Sequence, residues 1–314
     1  MVNDRKVAII GAGFVGSSSA FALMQKGLFN ELVLIDANKA RAEGEAMDIS
    51  HGLAYSNSMR IYAGEYEDIS DAKIIIITAG AAQKVGETRL DLIKKNSKIM
   101  TSIINEIVRV KAEGLLLIVA NPVDVLTQVA LKVSGFGKER VFGSGTVLDT
   151  ARLKYLLSEK LRVDTRNVHA VIMGEHGDSE FVAWSFANVS GMPIKKFLCL
   201  RGYKDMEQLK EEIHAEVRDS AYKIIERKGA TYYGIALSVT RICECIVKNQ
   251  HSMLPISTLL EGEYGVSNVA LSVPAILGSD GVEAVLELPL SSNEILELHH
   301  SADTLEATFN ELGI

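Results

Sequence analysis

Cysteine is scarce in this chain, with only Cys199, Cys243 and Cys245 among 314 residues. Three thiols so spaced build neither a disulfide framework nor a zinc site, so reduced thiols in a cytoplasmic protein are expected. Long apolar runs are also missing, and none reaches the about 18 residues that a membrane-spanning helix requires. There is no basic excess: 33 Lys and Arg stand against 40 Asp and Glu, for a net charge of −7. That balance argues against a nucleic-acid partner, which needs a basic face. The first strand starts almost at once, leaving no room for a secretory leader. No internal repeat or low-complexity segment occurs. The remainder is an ordinary globular composition, 47% hydrophobic and 23% charged, in a chain long enough for two domains sharing a core.

The most informative stretch is Lys6-Val-Ala-Ile-Ile-Gly-Ala-Gly-Phe-Val-Gly16. An apolar strand ends at Gly11 and an apolar-periodic helix follows from Phe14, the strand–turn–helix setting that a dinucleotide fingerprint requires. Gly11 allows the tight turn, Gly13 lets the backbone approach a pyrophosphate, and Gly16 lets helix and strand pack closely. The helix N-terminus offers unpaired N–H groups and the positive end of its dipole to phosphate. A second strand, Glu31–Ile35, ends in Asp36, twenty residues beyond Gly16. An acid there accepts hydrogen bonds from an adenosine ribose and repels a 2′-phosphate. Ala37 and Asn38 supply no cation for that phosphate, so the expected cofactor is NAD rather than NADP.

Strands and helices alternate through the first 145 residues. Further strands are expected at Met59–Ala63, Asp71–Thr78, Leu115–Ala120 and Arg140–Phe142. Helices are expected from Asp36 to about Ser50 and from about Thr88 to Ala112. This order predicts a doubly wound parallel sheet, with ligands outside the carboxyl ends of the strands. Gly11, Asp36, Gly80 and Asn121 all fall at such ends. A helix at Thr146–Leu157 joins this half to one of different character. There a strand is expected at His169–Met173, helices at Lys204–Lys228 and Thr231–Val247, antiparallel strands between Met253 and Val273, and a closing helix at Asn293–Leu312. The division expected is a Rossmann α/β domain over residues 1–145 and an α+β catalytic domain over residues 146–314.

If a nicotinamide is bound, the second half must handle a proton on the reacting oxygen. His176, flanked by Gly174 and Gly177, is the natural acid–base group, since imidazole titrates nearest neutral pH. A carboxylate at its second ring nitrogen would fix the tautomer, and Asp149 is the candidate. Arg152 lies three residues on, so a helix puts both on one face. A guanidinium there can grip a substrate carboxylate through paired hydrogen bonds. An exposed i, i+3 ion pair fits that spacing equally well.

Four further stretches, Gly80–Leu92, Asn121-Pro-Val-Asp124, Leu148-Asp-Thr-Ala-Arg152 and Gly174-Glu-His-Gly-Asp178, together with Gly11–Gly16, resemble the signatures of the lactate/malate dehydrogenase superfamily. Within it they are most similar to the bacterial L-lactate dehydrogenases, in order and spacing over essentially the whole chain. The resemblance implies NADH-dependent reduction of pyruvate to (S)-lactate, with His176 as proton donor and acceptor and Asp149 as its partner. It implies that Arg89 polarises the substrate carbonyl from a closing loop, that Arg152 holds the substrate carboxylate, and that Asn121, after a cis bond to Pro122, holds the reacting oxygen. Gln83, Asp124 and Thr231 join the substrate-binding set, with Gln83 favouring a methyl where an arginine would favour a second carboxylate. Gly11, Gly13, Val15, Gly16, Asp36, Tyr66, Gly80, Ala81, Ser102, Asn121 and Ser144 fall on the family's NAD-contacting positions. A homotetramer is implied, with contacts on the Lys204–Lys228 helix and the helix before it. Lys154 and His169 match positions that bind fructose 1,6-bisphosphate in activated relatives, although lysine stands here for arginine.

Other readings stay within reach of the sequence. Malate dehydrogenases and dehydrogenases of longer 2-hydroxy acids are the nearest. NAD-dependent glycosidases of similar fold need a Cys/His metal site that is not found, and no metal is expected. An NAD-binding sensor would need only the first domain, and would not need Arg89, Asp149, Arg152 and His176 together.

Overall fold

The alternating apolar runs assemble into one nine-stranded sheet with helices on both faces. The computed structural model describes residues 2–81 and 88–313, so Gln83 lies outside the described residues. The first half runs β1 (Asn3–Ile10), α1 (Phe14–Lys26), β2 (Glu31–Ile35), α2 (Lys39–His51), β3 (Arg60–Ala63) and β4 (Ala72–Ile77). It continues with α3 (Arg89–Arg109), β5 (Leu115–Ile118), α4 (Val123–Ser134) and β6 (Val141–Gly143). The second half opens with α5 (Val147–Leu161), β7 (Val168–His169), β8 (Ile172–Met173), β9 (Phe181–Val182), β10 (Asn188–Val189) and β11 (Met192–Pro193). It closes with α6 (Ile194–Leu200), α7 (Met206–Lys228), α8 (Tyr233–Val247), β12 (Ser252–Glu261), β13 (Ser267–Gly278), β14 (Gly281–Val285) and α9 (Ser292–Asn310).

Why the central strands are apolar throughout is visible in β4. Ile74 and Ile76 enter the core beneath α1, α2 and α8, while Ile75 and Ile77 enter the core beneath α3, α4 and α9. A strand covered on both faces has no polar alternation to show. Strands β3, β2, β1, β4, β5 and β6 are parallel and lie in that order. The order reverses between β1 and β4, and the crevice at their carboxyl ends is where such sheets take ligands.

Three features go beyond the sequence expectation. The antiparallel strands β12–β14 do not form a separate sheet but extend the parallel one, β12 joining β6 through Ser257 and Gly143. A side chain at residue 143 would meet the Ser257 Cβ at 2.9 Å and the Thr127 hydroxyl at 2.5 Å, so glycine permits the junction. The run expected as one strand at His169–Met173 is two, β7 paired with β10 and β8 with β9. Its alternate side chains serve different cores: Val168, Ala170 and Ile172 pack with α5 and α7, whereas Val171 and Met173 pack beneath the sheet. Such a segment is apolar on both faces yet changes hydrogen-bonding partner midway. The third is a group of elements not expected from sequence: α4, the short β9, β10 and β11, α6 and β14.

Candidate active site

The first functional group of atoms lies at the end of β1. Gly11 has a φ of +106° and its carbonyl accepts from the Thr78 hydroxyl at 2.7 Å. A Cβ on Gly16 would sit 1.8 Å from that carbonyl, so only glycine lets α1 start so close to the strand. Gly13 faces the opposite situation: a Cβ there would meet nothing within 4 Å, and no side chain caps α1. Open space in front of an uncapped helix N-terminus is what a pyrophosphate needs. Asp36, at the end of β2, accepts from the Ala12 N–H at 2.7 Å and the Asn38 N–H at 2.8 Å, tying the acid to the glycine turn. These residues fit an adenine dinucleotide.

The other candidate cofactor positions lie on α1 and α3 and on the segments that follow β3, β4, β5 and β6. The Ala81 N–H donates to the Asn96 side chain at 2.8 Å, and the Asn96 amide donates to the Asn121 carbonyl at 2.9 Å. Asn96 on α3, which the sequence reading passed over, thus joins the loop after β4 to the loop after β5. Gly80 packs against Asn96 and Ala120, and Ser144 is buried just after β6. Val15 lies in the first turn of α1, Tyr66 begins the short turn after β3, and Ser102 is exposed on α3.

The acid–base pair forms where the two halves meet. Asp149 sits in the first turn of α5, buried, with one oxygen 2.6 Å from His176 Nδ1 and the other accepting from Arg152 Nη1 at 2.6 Å. Arg152 is therefore ion-paired to Asp149 at i, i+3, and the pair is buried rather than exposed. Burial alone would raise the Asp149 carboxyl, but the charges of His176 and Arg152 outweigh it and hold it below the ordinary range. Burial likewise opposes the His176 cation, and Asp149, aided by Asp124 and Glu180, overcomes it and pushes the imidazole up to about 9. At neutral pH the ring is a proton donor.

Asp124 does not line the cavity. It lies buried in the first turn of α4, accepting from the His176 backbone N–H at 2.7 Å and the Ser272 hydroxyl at 3.3 Å. Burial pushes its carboxyl up to about 6. It places the histidine loop from behind. The Glu175 N–H, bonded to the Ser301 hydroxyl at 2.5 Å, pins the same loop to α9.

A cavity of about 410 Å³ opens beside the pair, walled by Arg89, Asn121, Asp149, Arg152, His176 and Glu180 with one face of α7. Arg89 is the first residue of α3, placed there by a capping box between Thr88 and Asp91. Its guanidinium donates to Glu175 at 2.7 Å and more loosely to Asp178 at 3.4 Å, and its side chain is 59% exposed. The Asn121–Pro122 peptide bond is cis. Thr231 lies just before α8 and is not part of the cavity wall. Lys154 is half-buried on α5 and His169 is exposed on β7, both away from the cavity.

Two wall residues were missed from sequence. Glu180 stands two residues beyond the quoted His176 loop, and Arg218 repeats with Ala221, Tyr222 and Ile225 at i, i+3, i+4, i+7 on α7. That spacing was available, but one arginine above three uncharged residues does not stand out on a helix as charged as α7. Asp149, His176 and Glu180 bring one donor atom each within 4.8 Å of one another. Both Asp149 oxygens are already engaged by cationic groups, which makes the trio a proton-handling cluster rather than a cation site.

Comparison with known proteins agrees with this geometry. Residues 5–143 match the family model for the lactate/malate dehydrogenase NAD binding domain, and residues 146–312 match the model for the lactate/malate dehydrogenase alpha/beta C-terminal domain. An L-lactate dehydrogenase of Acetivibrio thermocellus is 51% identical over 99% of this chain and 98% of its own. One of Priestia megaterium is 52% identical over 97% of this chain and 95% of its own. Among solved structures, a lactate dehydrogenase from a Medee basin deep-sea metagenome superposes with a TM-score of 0.97 at 47% identity, covering 100% of both chains. The ligand-bound minor L-lactate dehydrogenase of Enterococcus mundtii gives 0.95 at 42% identity, covering 98% of both chains. With a buried Asp149 joining His176 to Arg152 beside a dinucleotide crevice, the chain belongs to the lactate/malate dehydrogenase family.

Proposed function

We propose that this protein is an NAD-dependent L-lactate dehydrogenase that interconverts pyruvate and (S)-lactate. The observation that carries the reading is the single buried carboxylate of Asp149 shared by a proton donor and a guanidinium in one cavity. NADH, when bound along the strand ends, supplies the hydride. The protein's own side chains do the rest. Arg152 spends one N–H on Asp149 and keeps donors free for a substrate carboxylate. Arg89 gives up its long contact with Asp178 and turns towards the carbonyl oxygen, where negative charge develops. Asn121 orients that oxygen. His176 delivers a proton to it from Nε2, while Asp149 holds Nδ1 and stabilises the charged ring. In lactate oxidation the neutral ring takes the proton back.

Gln83 supports pyruvate over oxaloacetate, since a second carboxylate against an amide would lack a cation. Residues 1–145 form the cofactor domain and lend Gln83, Arg89 and Asn121 to the substrate, and residues 146–314 form the catalytic domain, a division supported by the two matches that meet just before α5. A homotetramer is supported by exposed apolar side chains on adjoining helices, Phe21 on α1, Met47 on α2 and Leu237 on α8. Activation by fructose 1,6-bisphosphate is supported by Lys154, whose charge burial disfavours and an anion would restore. We place the reaction in the cytoplasm, where the exposed thiol of Cys199 stays reduced. The test is NADH oxidation with pyruvate, oxaloacetate and 2-ketoisocaproate side by side: pyruvate is the preferred substrate, and equal rates with oxaloacetate refute the reading.

A further inference from the structure

One acid in the cavity has no part in the steps above. Glu180 precedes β9, is 6% exposed, and lines the cavity wall. Its Oε1 is buried without a hydrogen-bond partner among the described residues. One of its oxygens lies within 4.8 Å of donor atoms of Asp149 and His176. The charged groups that face it are Asp149 and Arg152 from α5, His176 from the preceding loop and Arg218 from α7. His214, also on α7, donates from Nε2 to the Glu180 carbonyl at 3.1 Å, and burial favours its neutral form. Arg89 and Asp178 occupy the far side of the same wall and engage each other.

A buried carboxylate within electrostatic reach of two guanidiniums normally takes one of them as a partner. Glu180 takes neither: the Arg152 guanidinium pairs with Asp149 and keeps its other donors off Glu180, and no ion pair joins Arg218 to Glu180 among the described residues. A neutral carboxylic acid accounts for both the missing partner and the tolerance of burial beside Asp149. Desolvation, with the Asp149 charge behind it, raises this carboxyl to about 8, in keeping with that state. The distinction matters because the substrate is itself an anion that needs Arg152. An ionised Glu180 would compete for that guanidinium and repel the incoming carboxylate.

We propose that Glu180 is a positioning residue that acts through Arg152: protonated, it leaves the guanidinium to the substrate carboxylate, and ionised, it closes the site to 2-oxo acids. Productive pyruvate binding then needs two protons, one on His176 and one on Glu180. The inference rests on the pyruvate-reducing reading of the site. Its test is the dependence of kcat/KM for pyruvate on pH at saturating NADH. On a logarithmic plot the wild-type alkaline limb falls with a limiting slope of two above about pH 9, where both groups have lost their protons. Glu180→Gln, whose amide copies the neutral acid, keeps the His176 titration as a single step, moved down because the Glu180 charge no longer supports the imidazolium, and gives a slope of one. A slope of one in wild type, or a slope of two that survives in Glu180→Gln, overturns the proposal.

A second measurement needs no variant. Calorimetric binding of oxamate, an inert pyruvate isostere, to the NADH-loaded enzyme near pH 9.5 in buffers of different ionisation heat reports proton uptake. More than one proton per oxamate supports the two-proton site, and a ceiling of one refutes it. Wild type that reduces no pyruvate at any pH would instead refute the proposed function itself.

Discussion

Replacing Asp149 with Asn tests the central electrostatic argument, because the amide keeps the shape and removes the charge. In the native site His176 is lifted from 6.5 to about 9, chiefly by Asp149 working against burial. Those two and a half units correspond to roughly 3 kcal/mol favouring the imidazolium. Without the carboxylate the two largest raising influences are gone, and the ring returns towards the ordinary imidazole value. At pH 8 the protonated fraction of His176 then falls from about nine-tenths to about three hundredths. The kcat/KM for pyruvate therefore drops about thirtyfold at pH 8 from protonation alone. Near pH 5.5 that part of the loss nearly vanishes, leaving only the cost of a misplaced ring and a less firmly held Arg152. Initial rates with pyruvate from pH 5.5 to 9.5, at saturating NADH, separate the two contributions. A limb that stays near pH 9 in Asp149→Asn, or a loss equal at every pH, refutes the reasoning. Thermal unfolding of the same variant shows whether the deficit comes from the site or from loss of the fold.

Four further outcomes are expected. His176→Asn, which cannot cycle a proton, loses about 10²–10⁴-fold in kcat; turnover within about tenfold of wild type removes the assignment. Wild type prefers pyruvate to oxaloacetate by at least about a hundredfold in kcat/KM, and Gln83→Arg shifts that preference towards oxaloacetate. Millimolar fructose 1,6-bisphosphate lowers the half-saturating pyruvate concentration modestly in wild type and more strongly in Lys154→Arg, whose bidentate fork suits phosphate; no effect in either protein removes the site. The stability of Asp124→Asn relative to wild type rises as pH rises from about 4 to 6. The native carboxyl is raised, so the folded state holds a proton that the unfolded state releases in that window, and wild-type stability declines across it. Denaturant melts at pH 4 and pH 7 check the sign.

How much of this was legible in the sequence depended on whether a local pattern carried the physics. The parallel sheet was legible because its strands are short, mostly apolar runs closed by turns, as at Ile74–Ile77 before Thr78. The proximity of Asp149 and Arg152 followed from helical spacing, since both lie on α5. The contact of Asp149 with His176 spans 27 residues and rests on the β7–β8 segment packing against α5, which no local period reveals. The switch of partner between β7 and β8 was hidden for a related reason: hydrophobicity records burial on both faces but not which strand supplies the hydrogen bonds. Glu180 and Arg218 were hidden because ionisable residues read as solvent-facing until a cavity is seen beneath them. The Asn121–Asp124 motif was legible, but that the Asp124 carboxylate accepts from the His176 N–H, 52 residues away, was not.

The three buried acids around this cavity are chemically alike yet ranked by their surroundings. Asp149 has two cationic partners at 2.6 Å and sits at a helix N-terminus, so it stays ionised through the working range. Asp124 shares the helix-terminal setting but bonds to a peptide N–H and to hydroxyls rather than to a cation, which offsets burial in part and leaves it titrating near 6. Glu180 has neither a helix end nor a partner at Oε1, and it titrates highest. That order follows the number and charge of the donors each acid receives. It assigns one permanent anion to hold the imidazolium, one to fix the loop, and one neutral acid to share a cavity with an anionic substrate. Moving the cation would reorder them: if Arg152 turned from Asp149 to Glu180, Glu180 would ionise and Asp149 would be left with His176 as its one cationic partner. Substrate binding and the ranking of these acids thus both depend on the orientation of a single guanidinium, the one on α5 that the substrate carboxylate itself must reach.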